Sequence, residues 1–458
     1  MLALLALFAC NSTPEPLYPA LPAVWGPTAA ENVSLDENVV EVHLSAGMSS
    51  TTWVDGSPTD TWAYNDEVPG PLIHAWLGQT IRVVFTNNLN EPTTIHWHGL
   101  RIDNAMDGVP AVQDPIQPGE TFTYEFTPPD SGSYWYHPHM RANEQVERGL
   151  QGTLVVHELD APAVDNDRYF VLDDVSLTST GGFTSFSIPG MEQMHGRYGN
   201  TLLLNGKAEL VTDTIRPGAV ERWRLVNTAN ARTMYMALHG ADARVIAVDG
   251  TLLPTPFAVT GELQVPIGQR LDLEVIPQAD ATQVTLENVV PTNSGTASIP
   301  LFEATVQGEP GDGLQRVWPA APLPVVQPSQ QHLALDLGAV QVAGAIQWQI
   351  NGVASQDSEP FVVTQNLPST LKIRNQSGPE HPFHLHGQFF QILERDGAPV
   401  DEPGLRDTVL IPGMTDVLIS TDFSNPGMWM AHCHILEHAE LGMMSMIDVM
   451  PPAMPPAH

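Results

Sequence analysis

The chain has 458 residues, enough on length alone for about three domains. Its formal net charge of -34 argues against nucleic acid or anionic membrane as a partner and favours cationic substrates or metal ions, besides aiding solubility. Pro and Gly are plentiful, Lys and Arg are scarce, and there are only two Cys, so a turn-rich β protein without a disulfide framework is predicted.

The apolar run from Met1 to Cys10 has signal-peptide length and is too short to span a membrane as a helix. Leu7-Phe8-Ala9-Cys10 resembles a bacterial lipoprotein cleavage box, although no Lys or Arg precedes the run. Cys10 is therefore read as a lipid-anchor site, with plain cleavage of a secretion signal as the alternative. Either way the chain is expected to be exported, to the periplasm or onto the outer membrane. The Pro-rich stretch from Asn11 to Thr28 reads as a tether.

Beyond it the chain repeats itself. Gly78-Gln79-Thr80-Ile81-Arg82-Val83-Val84-Phe85-Thr86-Asn87 precedes His96-Trp97-His98-Gly99. Pro217 to Asn227 precedes Ala237-Leu238-His239-Gly240. Leu371-Lys372-Ile373-Arg374-Asn375 precedes His384-Leu385-His386-Gly387. Each unit has an alternating strand ending at Asn, a loop, and a second strand closing on His-Gly. The period is domain-sized. It divides the chain into 29–160, 161–308, a Pro-rich linker over 309–331, and 332–458. Short strands punctuated by Gly and Pro predict Greek-key β-barrels.

A further segment recurs only in the outer units. Gly132-Ser133-Tyr134-Trp135-Tyr136-His137-Pro138-His139 matches Gly427-Met428-Trp429-Met430-Ala431-His432-Cys433-His434. The outer units thus carry four His-x-His pairs: His96/His98, His137/His139, His384/His386 and His432/His434. In a strand, residues i and i+2 share a face, so each pair aims two imidazoles at one point. Eight imidazoles exceed the needs of one metal and imply a multinuclear cluster. The middle unit has Ala237 where the others have a His, and reads as a spacer.

Parity sets Cys433 on the face opposite His432 and His434. His381 likewise faces away from His384 and His386, so His381 and Cys433 can meet behind the cluster. His438 folds back over a turn, and Met443 follows as a weak axial ligand, with Met444 its rival. A soft Cys with two His and a distant Met is a blue-copper donor set. The remaining His43, His74, His157, His195, His239, His332 and His458 are read as structural or surface residues.

With these motifs in hand, the sequence resembles the multicopper oxidases, specifically the three-domain bacterial laccase-like group. The resemblance implies three cupredoxin-like domains, all-β, and four copper ions. The type 1 copper would be held by His381, Cys433, His438 and Met443. The type 2 copper would be held by His96 and His384, and the type 3 pair by His98, His137, His139, His386, His432 and His434. It also implies one-electron oxidation of a reductant at a type 1 copper near the surface, with His381 as the exit point of that electron path, coupled to reduction of O2 to water. By family position Asp107 and Glu437 are the proton-supplying acids. A Met axial ligand suggests a low-to-medium potential.

Phenols and aromatic amines are the first expected reductants, and a metal ion such as Cu(I), Mn(II) or Fe(II) the second. Met191-Glu192-Gln193-Met194-His195 is read as incidental to that choice. A copper nitrite reductase would lack the four pairs, and a copper carrier would not need the His-Cys-His bridge. The protein is expected to act as a monomer.

Overall fold

The three repeats fold as alternating strands. The computed structural model describes residues 17–54, 56–292, 295–320, 322–355 and 358–452; Cys10, its apolar leader and His458 lie outside the described residues. Among the described residues the α-helices are three short ones, Ala142–Gln145, Gly190–His195 and Leu436–Glu440. The strands make six sheets, and these pair into three sandwiches, each over its own apolar core. The fold is all-β, as predicted.

One wiring pattern recurs. Val39–Val54 runs parallel to Thr80–Asn87, Asn166–Val175 to Glu221–Asn227, and Gln331–Val342 to Ser369–Asn375. Between the members of each pair, the chain first turns back within the same sheet and then crosses to the facing one. This crossing connection is of the Greek-key kind.

The Asn that ends each repeat strand has a physical task. The Asn87 amide donates to Ile116 O at 2.8 Å and accepts from Leu89 N at 2.9 Å. Asn227 does the same with Val265 O and Ala229 N, and Asn375 with Ile411 O and Ser377 N. Each amide ties the loop leading to the His strand to a carbonyl that follows that strand in sequence. The following His-Gly is equally constrained. Gly387 has φ +61°, and a Cβ there would sit 2.4 Å from the Trp429 ring. Gly99 has φ +90°, and a Cβ there would sit 2.2 Å from the Arg270 guanidinium. Only glycine fits both demands.

The stretches read as a tether and a linker each dock a tryptophan. Trp25, within the supposed tether, packs 5.2 Å from the rings of Phe170 and Phe302, and the Arg168 guanidinium covers it at 4.8 Å. Burying indole outweighs the Pro-rich composition around it. In the linker, Trp318 is buried, donates to Glu274 Oε2 at 2.9 Å and lies under Arg222.

The sandwiches are joined by buried ion pairs. Arg222 grips Glu158 through both terminal nitrogens, at 2.9 and 3.0 Å, and reaches Asp272 at 2.6 Å. Arg224 pairs with Asp167 and also donates to Ser133 Oγ in the first sandwich. Burial pushes Glu158 up, but Arg222 more than offsets it and holds the carboxyl at about 2. Arg222→Met would leave that carboxylate buried without its guanidinium. We expect the metal-free protein to lose about 3–5 kcal/mol, read as a lower urea midpoint; an unchanged midpoint would mean that this seam contributes nothing.

Candidate metal centres

Two paired strands build both centres. His381–Leu385 runs antiparallel to Gly427–Cys433, with His384 opposite His432 and Phe383 opposite Cys433. Side chains alternate across a strand, so one face carries His384 and His432 while the other carries His381, Phe383 and Cys433. Helix Leu436–Glu440 then turns the chain back and brings in His438.

On the second face, the ligand atoms of His381, Cys433 and His438 lie within 4.8 Å of one another. Cys433 Sγ is 3.4 Å from His381 Nδ1 and 3.7 Å from His438 Nδ1. Ser377 Oγ donates to Asn375 Oδ1, so it accepts from His381 Nε2–H at 2.8 Å. His438 Nε2–H donates to Met194 O at 3.2 Å. Each ring therefore turns an Nδ1 lone pair inward, and the two Nδ1 atoms stand 3.1 Å apart. Such a contact is repulsive until a cation lies between them. Burial pushes His381 down to about 3 and His438 well below its usual range, keeping both neutral. Burial also pushes the Cys433 thiol up, so holding it as thiolate requires a cation. Met443 donates its N–H to His438 O, accepts at its carbonyl from Cys433 N, and shares the apolar core with Cys433. Its rival Met444 is only partly buried and pairs with His432 in the sheet, at opposite parity to Met443.

On the first face, the eight remaining imidazoles converge from both outer sandwiches. They fall into overlapping groups: His98 with His137 and His434, His96 with His139 and His386, His384 with His386 and His432, and His96 with His98 and His384. His96 stacks on His386 at 3.8 Å and His98 on His384 at 3.7 Å. The outer nitrogens of six of the eight are held by the protein. Nδ1–H of His96, His137, His384 and His432 donates to the carbonyls of Asp107, Pro138, Asp407 and Cys433. Nε2 of His96, His137, His139 and His384 is buried with no hydrogen-bond partner. His386 and His432 face each other through Nε2 atoms 3.1 Å apart, again two lone pairs. Fixing one ring nitrogen to free the other is how a protein prepares imidazole for a metal. A thiolate with two imidazoles, and a second site made only of imidazole, both suit copper.

The acids occupy distinct places. Asp107 is buried between the outer sandwiches, its Oδ1 3.2 Å from His96 Nδ1 and its Oδ2 3.0 Å from His386 Nδ1. Glu437 is buried on the other side, accepting from Arg197 N at 2.9 Å and Asn230 Nδ2 at 3.0 Å. Burial pushes it up to about 7, against the pull of those hydrogen bonds.

Sequence reasoning missed Asp407. Its Oδ1 lies 3.2 Å from His98 Nε2 and its carbonyl holds His384. Arg270, from the middle sandwich, grips both of its carboxylate oxygens at 2.8 and 2.6 Å. Burial pushes Asp407 up, but Arg270 and His384 more than offset it and depress it strongly. No ligand spacing marks Arg406-Asp407-Thr408, and Arg270 belongs to the unit read as a spacer, so only the folded contacts reveal them. His381 also differs from expectation: it is fully buried, with Ser377 closing its outer nitrogen, because the loop ending the repeat strand folds over it. His239 is exposed and loosely paired with Glu287, away from both centres.

Three family models described as multicopper oxidase match residues 46–161, 174–286 and 328–453. The chain is 29% identical to multicopper oxidase MmcO of Mycobacterium tuberculosis, covering 86% of this chain and 84% of that one. It is 29% identical to Laccase-1 of Botryotinia fuckeliana, with 92% and 84% covered. The crystal structure of a multicopper oxidase from Pseudomonas parafulva matches 89% of this chain and 100% of its own, at 32% identity and a TM-score of 0.80. The three sandwiches are cupredoxin-like, and the chain belongs to the multicopper oxidases, copper-dependent oxidoreductases that use O2.

Proposed function

We propose that this oxidase binds four copper ions and couples one-electron oxidation of a small reductant to reduction of O2 to water. In this reading His381, Cys433, His438 and Met443 hold the type 1 copper. His96 and His384 hold type 2, and His98, His137, His139, His386, His432 and His434 hold the type 3 pair. The observation that carries it is the segment His432-Cys433-His434, whose thiol joins one buried group while its two imidazoles join the other. When bound, copper supplies reversible one-electron storage at one centre and binding and reduction of O2 at the other.

The chain supplies the rest. The backbone of Cys433 is a short covalent path between the centres. Asp107, against His96 and His386, and Glu437, on helix Leu436–Glu440, are the acids that supply protons to the O2 side. An exported location belongs to the same proposal and rests on the leader alone.

The reductant follows from what covers His381 and His438. Both outer nitrogens are capped, by Ser377 and by Met194 O, so no imidazole edge is open to a phenol ring. Helix Gly190–His195 supplies one cap and carries Met191, which is 74% exposed. Met414, equally exposed, hangs its N–H on Ser377 O beside the other. Soft thioethers on a strongly acidic protein favour a soft cation. We therefore rank Cu(I) ahead of phenols, reversing the order expected from sequence. The laccase name of the Botryotinia relative supports a phenol as the second reading.

O2 uptake should be faster with Cu(I) than with a dimethoxyphenol, and Met191→Leu/Met414→Leu should lower kcat/KM for Cu(I) about tenfold while sparing the phenol. Uptake with the phenol alone would establish the second reading instead. Cys433→Ser should keep the fold and lose blue absorption and oxidase activity together. Glu437→Gln should slow reoxidation by O2 with type 1 reduction intact; unchanged reoxidation would remove Glu437 from the mechanism.

A further inference from the structure

Glu437 is the inner end of a longer row of buried carboxyls. Arg197, whose backbone N–H binds Glu437, turns its guanidinium the other way and donates to Glu147 Oε1 at 2.8 Å. Glu147 also accepts from Ser176 N. Beyond it, on strand Asn166–Val175, lie Asp173 and Asp174. Asp174 N donates to Asp173 Oδ1 at 2.8 Å, Asp174 Oδ2 accepts from Gly199 N at 2.7 Å and Arg232 Nε at 2.5 Å, and Gln151 Nε2 donates to Asp173 Oδ2 at 2.6 Å. The row runs from Glu437, on the third sandwich, into the seam between the first and second sandwiches. Exposure is 1% at Glu437, 3% at Glu147, 1% at Asp174 and 7% at Asp173.

Two observations set this row apart from ordinary ion pairing. First, the charges do not balance. Arg197 and Arg232 are the cations facing the four carboxyls, and Glu192 adds a partial claim on Arg197 at 3.5 Å. Like charges packed in a dry seam cannot all ionise, so some of these carboxyls stay protonated near neutral pH. Second, Glu147 Oε2, Asp174 Oδ1, Gln151 Oε1 and Asn230 Oδ1 are buried with no hydrogen-bond partner in the protein. Buried oxygens of this kind call for a proton or a bridging water. The titration directions agree: burial pushes Glu147 up to about 8, Asp173 well above the usual range, and Asp174 up as well.

We propose that Glu147, Asp173 and Asp174 are a buried proton store that refills Glu437 during O2 reduction. This rests on the reading of Glu437 as proton donor. Reducing one O2 to two waters takes four electrons from the reductant and four protons. Each proton that Glu437 gives up is replaced from a carboxylic O–H of the store, through water bound at the unpartnered oxygens. The store recovers its proton from solvent at Asp173, its most exposed member.

The test is stopped-flow reoxidation of the fully reduced, copper-loaded enzyme by O2. Glu147→Gln and Asp173→Asn keep shape and remove the titrating group. Each should slow reoxidation on the order of tenfold and raise its solvent isotope effect, with type 1 reduction unchanged. The fall in wild-type reoxidation as pH rises through about 8 should vanish in Glu147→Gln, and Glu147→Asp should restore it. Reoxidation at the parent rate, with the parent pH profile, in both variants would overturn the store. If Glu437→Gln is slow in the same experiment, the donor reading stands without the store; if it too is normal, both fall. Should Glu147→Gln fail to form the type 1 band, Asp173→Asn decides alone.

Discussion

The structure depends on one register: His384 opposite His432, and Phe383 opposite Cys433. Strand alternation then leaves no freedom. The imidazoles of one face must join the first sandwich's histidines, and the thiol of the other face must join the core with His381. A slip of one residue would send Cys433 to the imidazole cluster and His432 into the core, destroying both centres at once. The first sandwich uses the same arrangement, with His96 opposite His137, but Pro138 stands where Cys433 does. Proline offers no ligand, so only the third sandwich can join two centres through one residue.

Closing the two outer sandwiches around eight neutral imidazoles brings buried charge with it, and the middle sandwich manages that charge. Arg270 is wholly buried, yet it makes two contacts with Asp407 and also donates to Ser133 O in the first sandwich and to its neighbour Gly268 O. Asp249 accepts from Arg270 N, Asp407 N and Thr408 N. A guanidinium stripped of water is costly unless every donor is used. Here its carboxylate partner, Asp407, is the residue that contacts His98 and holds His384. The middle sandwich, which supplies none of the grouped imidazoles among the described residues, thus helps to clamp those that the outer two supply.

What the sequence made legible is what obeys short-range rules. Four His-x-His pairs, the opposite parity of Cys433 and His381, and the repeated Asn and His-Gly positions all follow from the period of a strand, and the fold carries each of them. Asp107 and Glu437 came from family position; Asp107 is buried against His96 and His386, and Glu437 is buried on the helix that carries His438. Asp407, Arg270 and Glu147 were not legible. Each acts across a sandwich boundary on a partner more than forty residues away, and nothing in the local pattern sets them apart from surface charge. Trp25 and Trp318 were illegible for the opposite reason: the surroundings are proline-rich and read as tether and linker, while one large ring in each is enough to dock it.

Burial serves both halves of the chemistry. Removing water disfavours any charged form, so it strips protons from bases and keeps them on acids. In the imidazole cluster this leaves lone pairs directed inward and free for a cation. A few residues away, in the seam, it keeps Glu437 and Glu147 protonated into the neutral range. Arginine decides where that rule is suspended. Asp407 and Glu158, each gripped by a guanidinium through both oxygens, stay ionised and serve as fixed charge. Glu147 receives one guanidinium nitrogen and Glu437 only a backbone N–H from the same arginine. The number of arginine contacts on each carboxyl thus separates those that serve as fixed charge from those that can give protons.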